Sequence, residues 1–311
     1  SKVLSFFAQI EPCIVGIESC ASSQHWAREI TKFGHTVKLM NPKFVIPYRK
    51  SGKNDANDAE AICEAVGRPN MRFVPVKSVE QQAVCSLHTG RQFLVVQRTA
   101  LINHCRGLLT EFGIIMPLGA DKVRRLFAEI LADENASVPL FLKDLLQQHL
   151  QDLARLEQRI EAIDKQLAEW AKTNQQAMTL LQMLGVGVIT ATAFAAGVCD
   201  AQLFENGRQF AAWLGLVPRQ YSSGGKNKLG SITKAGDVYL RTMLAQGARS
   251  IVFNAKKKSD PFSLWIQRLL ERAGMNKTVI AVAAKQARIM WAIMAKNQDY
   301  QPERICSPLS A

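Results

Sequence analysis

The chain has 311 residues, 48% of them apolar, with 39 lysines and arginines against 26 aspartates and glutamates, a length that allows two domains of roughly 100–200 residues each. No apolar run approaches the roughly 18 residues that span a bilayer, and no basic-then-apolar leader opens the chain, which argues against a membrane or secreted protein and for a cytoplasmic one. Seven cysteines without a CxxC pair and five dispersed histidines argue against a disulfide framework, a zinc ribbon and a His-x3-His metal site, and for reduced thiols.

Residues 1–70 alternate helix and strand signals. Lys2 to Ile10 predicts a short amphipathic helix. Cys13-Ile-Val-Gly-Ile17 is an apolar run of strand length, ending at Glu18. Ser22 and Ser23 are candidate caps for a helix through Trp26 and Ile30 to a stop at Gly34. His35 to Met40 predicts a second strand, closed by Asn41-Pro42. This is the grammar of a parallel α/β sheet. Two strands make too small a sheet, so further strands are expected before Ser1. Residues 43–54 read as a basic loop, Asp55 to Val66 as a helix, and Val79 to about Phe112 as a long helix carrying Arg91, Arg98 and Arg106.

The clearest periodicity is Leu146, His149, Leu153, Leu156, Ile160, Ile163, Leu167 and Trp170, stepping alternately by three and four. This heptad seam needs a partner helix, from the same chain or from a second subunit. We read it as an arm that dimerises. Residues 176–311 read as helical, with one Gly-rich interruption at 222–230. The charge is uneven: net +5 over residues 1–120, −3 over 121–200 and +11 over 201–311. A concentrated positive end suits a polyanion, most often nucleic acid, although solvated lysines give the same pattern.

Three constellations bear on chemistry. Glu18 sits past the end of a strand, where α/β sheets place functional groups. Asp55 and Asp58 share a helix face. Three converging carboxylates would require a hard cation such as Mg²⁺. The aspartate pair is also what a helix N-terminus attracts, and alone it says no more than that. Next, Leu184-Gly185-Val186-Gly187-Val188 between two apolar helices reads as a helix-hairpin-helix. Its glycines permit a tight turn and its free amides can hold a phosphate; a plain helical hairpin is the alternative. Last, Pro218-Arg219-Gln-Tyr221-Ser222-Ser223-Gly224-Gly225-Lys226-Asn-Lys228 surrounds two serines with positive charge. A serine there is a plausible nucleophile on phosphorus, while spacing alone favours a basic phosphate-binding loop. No adjacent histidine offers a base. Lys234, Arg241, Arg249 and Lys256 to Lys258 fit backbone contacts or plain solvation.

Taken together, Gly16-Ile-Glu18-Ser19, Lys53-Asn-Asp55-Ala-Asn-Asp58-Ala59, the 184–191 hairpin, Gly215-Leu-Val-Pro218-Arg219 and Ser223-Gly224 before Lys234-Ala-Gly236 resemble the DEDD-type insertion-sequence transposases. This is the family that includes the RNA-guided bridge recombinases. The resemblance covers nearly the whole chain. It implies a fold of α/β plus all-α type. Residues 1–120 would be a RuvC-like, ribonuclease-H-type domain with a long helix, 121–175 a coiled-coil arm, and 176–311 a mainly helical transposase domain with a helix-hairpin-helix and a Ser-Gly loop. It implies that Glu18, Asp55 and Asp58 match the second, third and fourth Mg²⁺-binding acids. The first acid would precede Ser1, leaving that domain incomplete at its start. Ser223 matches the family's serine, which attacks DNA and forms a covalent serine–DNA link; Ser222 is its neighbour and rival. Gly185, Gly187, Arg219, Lys226, Lys228, Lys234 and Arg241 would hold nucleic acid. Donor and target DNA, a structured guide RNA, and homodimers joining into tetramers in the bacterial cytoplasm are the implied partners and setting. A nucleic-acid-binding remnant without catalysis and a junction-resolving metal-dependent nuclease are the alternatives.

Overall fold

The computed structural model describes residues 2–50, 52, 54–116, 119–133 and 138–302; Lys53 and Cys306 lie outside the described residues. The protein is mixed α/β and mostly helical. It divides into two compact units, Ser1–Gln82 and Ala83–Ala311.

The first unit runs α1 (Lys2–Phe7), β1 (Ile14–Glu18), α2 (Ser23–Thr31), β2 (Thr36–Met40), α3 (Pro42–Val45), α4 (Asp55–Val66) and β3 (Phe73–Val74). β1 and β2 pair in parallel from Ile14↔Thr36 to Glu18↔Met40. α2 is the crossover, burying Ala27 and Ile30. β3 adds a third strand antiparallel to β2, giving the order β1-β2-β3.

Two local expectations need correction. Ser22 stands at the cap of α2 with φ 68° and makes no side-chain cap bond; the neighbouring Ser23 hydroxyl instead donates to the Cys20 carbonyl at 2.8 Å. Asn41-Pro42 does not open a loop. The Asn41 side chain accepts from the Lys43 amide at 3.0 Å and Pro42 takes the first turn, where its missing N–H costs nothing, so residues 42–48 form α3 and a 3₁₀ turn. Met40, Val45, Ala61 and Ala65 make this unit's core. Gly16 lets α4 lie against β1, since a Cβ there would sit 3.0 Å from Ile62.

In the second unit, residues 83–110 of α5 (Val79–Thr110) pack with α6 (Ala120–Ala132) and α7 (Leu140–Thr173). α7 carries the heptad seam. Leu146, Leu153, Ile160 and Leu167, seven apart, are buried, while Leu156, Ile163 and Trp170 are half-buried. Part of the partner surface comes from the same chain. Val84 clusters with Leu167, Arg91 forms a two-pronged bond to Asp164 (2.5 and 3.2 Å), and His104 rests edge-on against His149. Rising numbers on α5 meet falling numbers on α7, so these two helices are antiparallel. Arg124 of α6 adds an ion pair to Glu157 at 2.5 Å.

Then follow α8 (Gln175–Leu181), α9 (Val188–Gly197), α10 (Gly207–Trp213), β4 (Pro218–Ser223), β5 (Lys226–Ile232), α11 (Val238–Ala255), α12 (Pro261–Ala273) and α13 (Met275–Lys296). Phe194, Phe210, Leu214, Leu244, Ile266 and Met290 centre the core. Among the described helices α13 alone has the length and composition to cross a membrane, but it buries Val279, Val282, Ala287 and Met290 in that core. The Gly-rich interruption at 222–230 is not a loop: it is the β4–β5 hairpin, so this region is not helical throughout.

A buried polar chain ties α5, α7, α9 and α11 together. Thr192 Oγ1 donates to the Val188 carbonyl at 2.7 Å, so it accepts from His88 Nε2 at 3.1 Å. His88 Nδ1 then accepts from the Tyr239 hydroxyl at 3.0 Å, beside the Arg91 guanidinium, itself held by Asp164. The bonds assign His88 as the neutral Nε2–H tautomer. Burial, and then the Arg91 charge, push its pKa down to about 4, against a smaller upward pull from Asp164.

Candidate functional sites

The acidic residues lie in the first unit. Glu18 is half-buried at the carboxyl end of β1. Asp55 and Asp58 occupy the first turn of α4, whose cap is Asn54, accepting from the Asn57 amide at 2.8 Å. Asp55 is exposed; Asp58 is ion-paired with Arg49 at 3.4 Å. The oxygen donors suit a hard cation, yet no group of three His, Cys, Asp or Glu among the described residues is arranged to hold one. The three carboxylates therefore do not assemble an ion site in this arrangement, and Asp58 is committed to a guanidinium.

The serines lie on the hairpin. Gly224 and Gly225, at φ 56° and 75°, form the two-residue turn that right-twisted strands prefer. All of β4 is exposed, and so is β5 up to Ile232. Ser223 pairs with Lys226 and Tyr221 with Lys228. Opposed residues, and those two apart, share a face of a strand pair. Ser223, Tyr221, Lys226 and Lys228 therefore stand on one face. The other face carries Gln220, Ser222 and Asn227. There the Ser222 hydroxyl donates to Asn227 Oδ1 and accepts from Gln220 Nε2, both at 2.9 Å. Ser223 makes no side-chain hydrogen bond among the described residues.

The foot of the hairpin is clamped. Arg241 Nη1 donates to the carbonyls of Leu214 (3.0 Å) and Ala235 (2.9 Å), and the Lys234 amide donates to the Gly215 carbonyl at 3.1 Å. Gly236 has φ 78°, and a Cβ there would collide with the Trp213 carbonyl. Arg241, expected among the nucleic-acid contacts, thus spends one nitrogen on backbone. Arg219 is exposed and donates to the Thr233 carbonyl at 3.3 Å. Lys234 is exposed at the foot.

Around the glycine turn between α8 and α9 the two glycines differ. Gly185, at φ 74°, is pressed against α11, where a Cβ would sit 2.7 Å from Ile251 Cδ1. Gly187 starts α9 with nothing within 4 Å of where a Cβ would stand. Gly185 is thus taken up by packing and Gly187 stays open.

Sequence reasoning missed the hairpin and the clamp. The signal for the first was present: a Gly-Gly pair between two short polar strands. The clamp had none, because the acceptors of Arg241 are backbone carbonyls 6 and 27 residues away in sequence.

Comparison with known proteins gives two family matches. Residues 2–114 match the DEDD transposase domain of IS110 elements, and residues 177–263 match the family described as transposase IS116/IS110/IS902. A Pseudomonas aeruginosa protein named "Probable family 20 transposase" is 48% identical over 303 residues, covering 97% of this chain and 90% of that one. The Coxiella burnetii "Transposase for insertion sequence element IS1111A" is 40% identical over 301 residues, covering 97% and 83%. The Moraxella bovis "Pilin gene-inverting protein" is 23% identical over 283 residues, covering 89% and 77%.

Proposed function

Since the chain belongs to the IS116/IS110/IS902 transposase family, whose members cut and rejoin DNA, we propose that it excises and integrates its own insertion sequence through a transient serine–DNA link carried by Ser223. The Ser223 oxygen attacks phosphorus and loses its proton. A phosphoserine ester forms, the scissile P–O bond breaks, and the leaving oxygen ends as a strand hydroxyl. A hydroxyl end of the other duplex then attacks the same phosphorus and releases serine. Atoms balance, and the ester conserves the energy for rejoining without a co-reactant.

The single observation that carries this is the state of the two serines. Ser222 has its hydroxyl spent on Asn227, whereas Ser223 has no side-chain hydrogen bond among the described residues and shares its exposed face with Lys226 and Lys228. Those ammonium groups oppose the charge that builds on phosphorus. Arg219, Lys234 and the amides at Gly187 hold backbone, with Gly185 shaping that turn and Arg241 setting the hairpin's foot.

The domain family carries a divalent-metal dependence. Mg²⁺ is the ion we assign to Glu18, Asp55 and Asp58, with Asp58 first released from Arg49; when bound it would neutralise phosphate charge. A structured non-coding guide RNA, homodimers joining into tetramers through the α7 arm, the division at 120 and 175, and a bacterial cytoplasmic setting complete the proposal, on the strength of the family resemblance.

The test is trapping on a nicked duplex whose cut end diffuses away, followed by denaturing electrophoresis. Wild type and Ser222→Ala should give a protein–DNA adduct, and Ser223→Ala none while still binding DNA. An adduct in Ser223→Ala overturns the assignment.

A further inference from the structure

Beside the hairpin's foot, α11 and α13 enclose a groove of about 190 Å³ whose polar lining is Lys234, Arg241, Thr242, Gln246 and Arg249. Three cations line it and no carboxylate does. Arg241 donates to two neutral carbonyls and forms no ion pair among the described residues. Lys234 and Arg249 are exposed and form no ion pair among the described residues. Like charges gathered in one depression repel, and a bound anion relieves them. The rest of the lining is apolar: Ile232, Ala245 and Ile280.

We propose that this groove seats a non-scissile phosphate, with its deoxyribose, of the duplex that Ser223 cuts, fixing the hairpin against the DNA backbone. The proposal rests on the Ser223 reading and adds a second anchor to it. The cationic side chains match the phosphate, and the apolar part of the lining matches a sugar that lacks a 2′-hydroxyl, which is why DNA is the fit and RNA is not. Position follows from the hairpin. Five residue steps separate the foot pair Pro218↔Ile232 from the tip pair Ser223↔Lys226. At roughly 3.3 Å per residue that is about 17 Å, or about five nucleotides of duplex rise. The seated phosphate should lie about that far from the cut.

Binding of the full chain to duplex DNA, in a Ser223→Ala background so that chemistry makes no contribution, is measured by fluorescence anisotropy across a salt series. Arg249→Ala should weaken binding about tenfold at 0.15 M salt, alike for unrelated sequences, and lower the slope of log K against log salt by about one. Thr242→Glu, which sets a carboxylate in the groove, should weaken it further. Lys172→Ala, whose residue pairs with Glu169 at 2.7 Å, is the control and should change neither quantity. A neutral methylphosphonate about five nucleotides from the cut should weaken the parent chain and leave Arg249→Ala unaffected. Unchanged slope and affinity in Arg249→Ala overturn the proposal, as does an equal loss on double-stranded RNA. If trapping shows an adduct without Ser223, the serine reading falls while the Arg249 result stands or falls separately.

Discussion

Replacing His88 by glutamine removes a titrating group from the second unit while keeping both of its hydrogen bonds possible. The glutamine amide can donate to Thr192 and its oxygen can accept from Tyr239, as the imidazole does now. His88 is 4% exposed, and its pKa is held at about 4 in the folded state against 6.5 ordinarily. The sign follows from proton counting. Between those values the unfolded chain binds a proton that the folded chain refuses, so stability is full above pH 6.5 and lost as pH falls toward 4. The whole span is worth about 3 kcal/mol, of which about 2 kcal/mol is gone by pH 5. Urea unfolding followed by tryptophan fluorescence suits the assay, since Trp170, Trp213, Trp265 and Trp291 all lie in the second unit. Wild type should lose about 2 kcal/mol more than His88→Gln between pH 7.5 and pH 5. Carboxylates elsewhere titrate alike in both proteins and cancel. Parallel losses would refute the account of a buried neutral histidine.

Three further outcomes follow from packing and hairpin geometry. Gly236→Ala puts a methyl group into the Trp213 carbonyl at φ 78° and should cost about 2–4 kcal/mol, read as a fall in the urea midpoint. Leu153→Ala, in the buried half of the α7 seam at 1% exposure, should cost about 2–5 kcal/mol; if α5 and α6 are its partners the loss will not vary with protein concentration, and a concentration-dependent midpoint would assign the position to a subunit contact. Asn227→Ala strips Ser222 of its acceptor and should speed amide exchange in β4 several-fold, a change of about 1 kcal/mol that circular dichroism will not detect.

Strands and helices with a strong period were legible in the sequence because one force set them. The apolar run at 14–17 and the alternation at 36–40 became the parallel pair, and Asp55–Val66 became α4 with the bounds the cap at Asn54 dictates. The long helix read from Val79 to about Phe112 became α5, and the heptad seam from Leu146 to Trp170 lies within α7. What was not read lacked a hydrophobic period or depended on a partner elsewhere in the chain. The hairpin at 218–232 has no buried face, hence no hydrophobic alternation to betray it. β3 is two residues long and exists through its pairing with β2. Of the candidate site, the residue types were readable and their states were not. Asp58 bonded to Arg49, Arg241 turned to the backbone and Gly185 pressed on Ile251 each reflect a partner that spacing does not reveal.

An exposed hairpin is an odd place for the proposed nucleophile, and the oddness bears on how the proposed reaction would be controlled. Two strands alone are marginal in water, so the shape of this pair depends on the turn glycines and the clamp at its foot. At the tip, water screens Lys226 and Lys228, and each does little for a charge nearby. Covering the hairpin with DNA removes that water and strengthens the same two cations where charge builds on phosphorus. In the proposed reaction the serine would then be reactive only when backbone lies across it, and hydrolysis of the proposed link would be slowed while the duplex excludes water. A clamped foot and a bare tip give both properties: the tip is available to the duplex, and its distance from the basic groove at the foot is set by the strands between them.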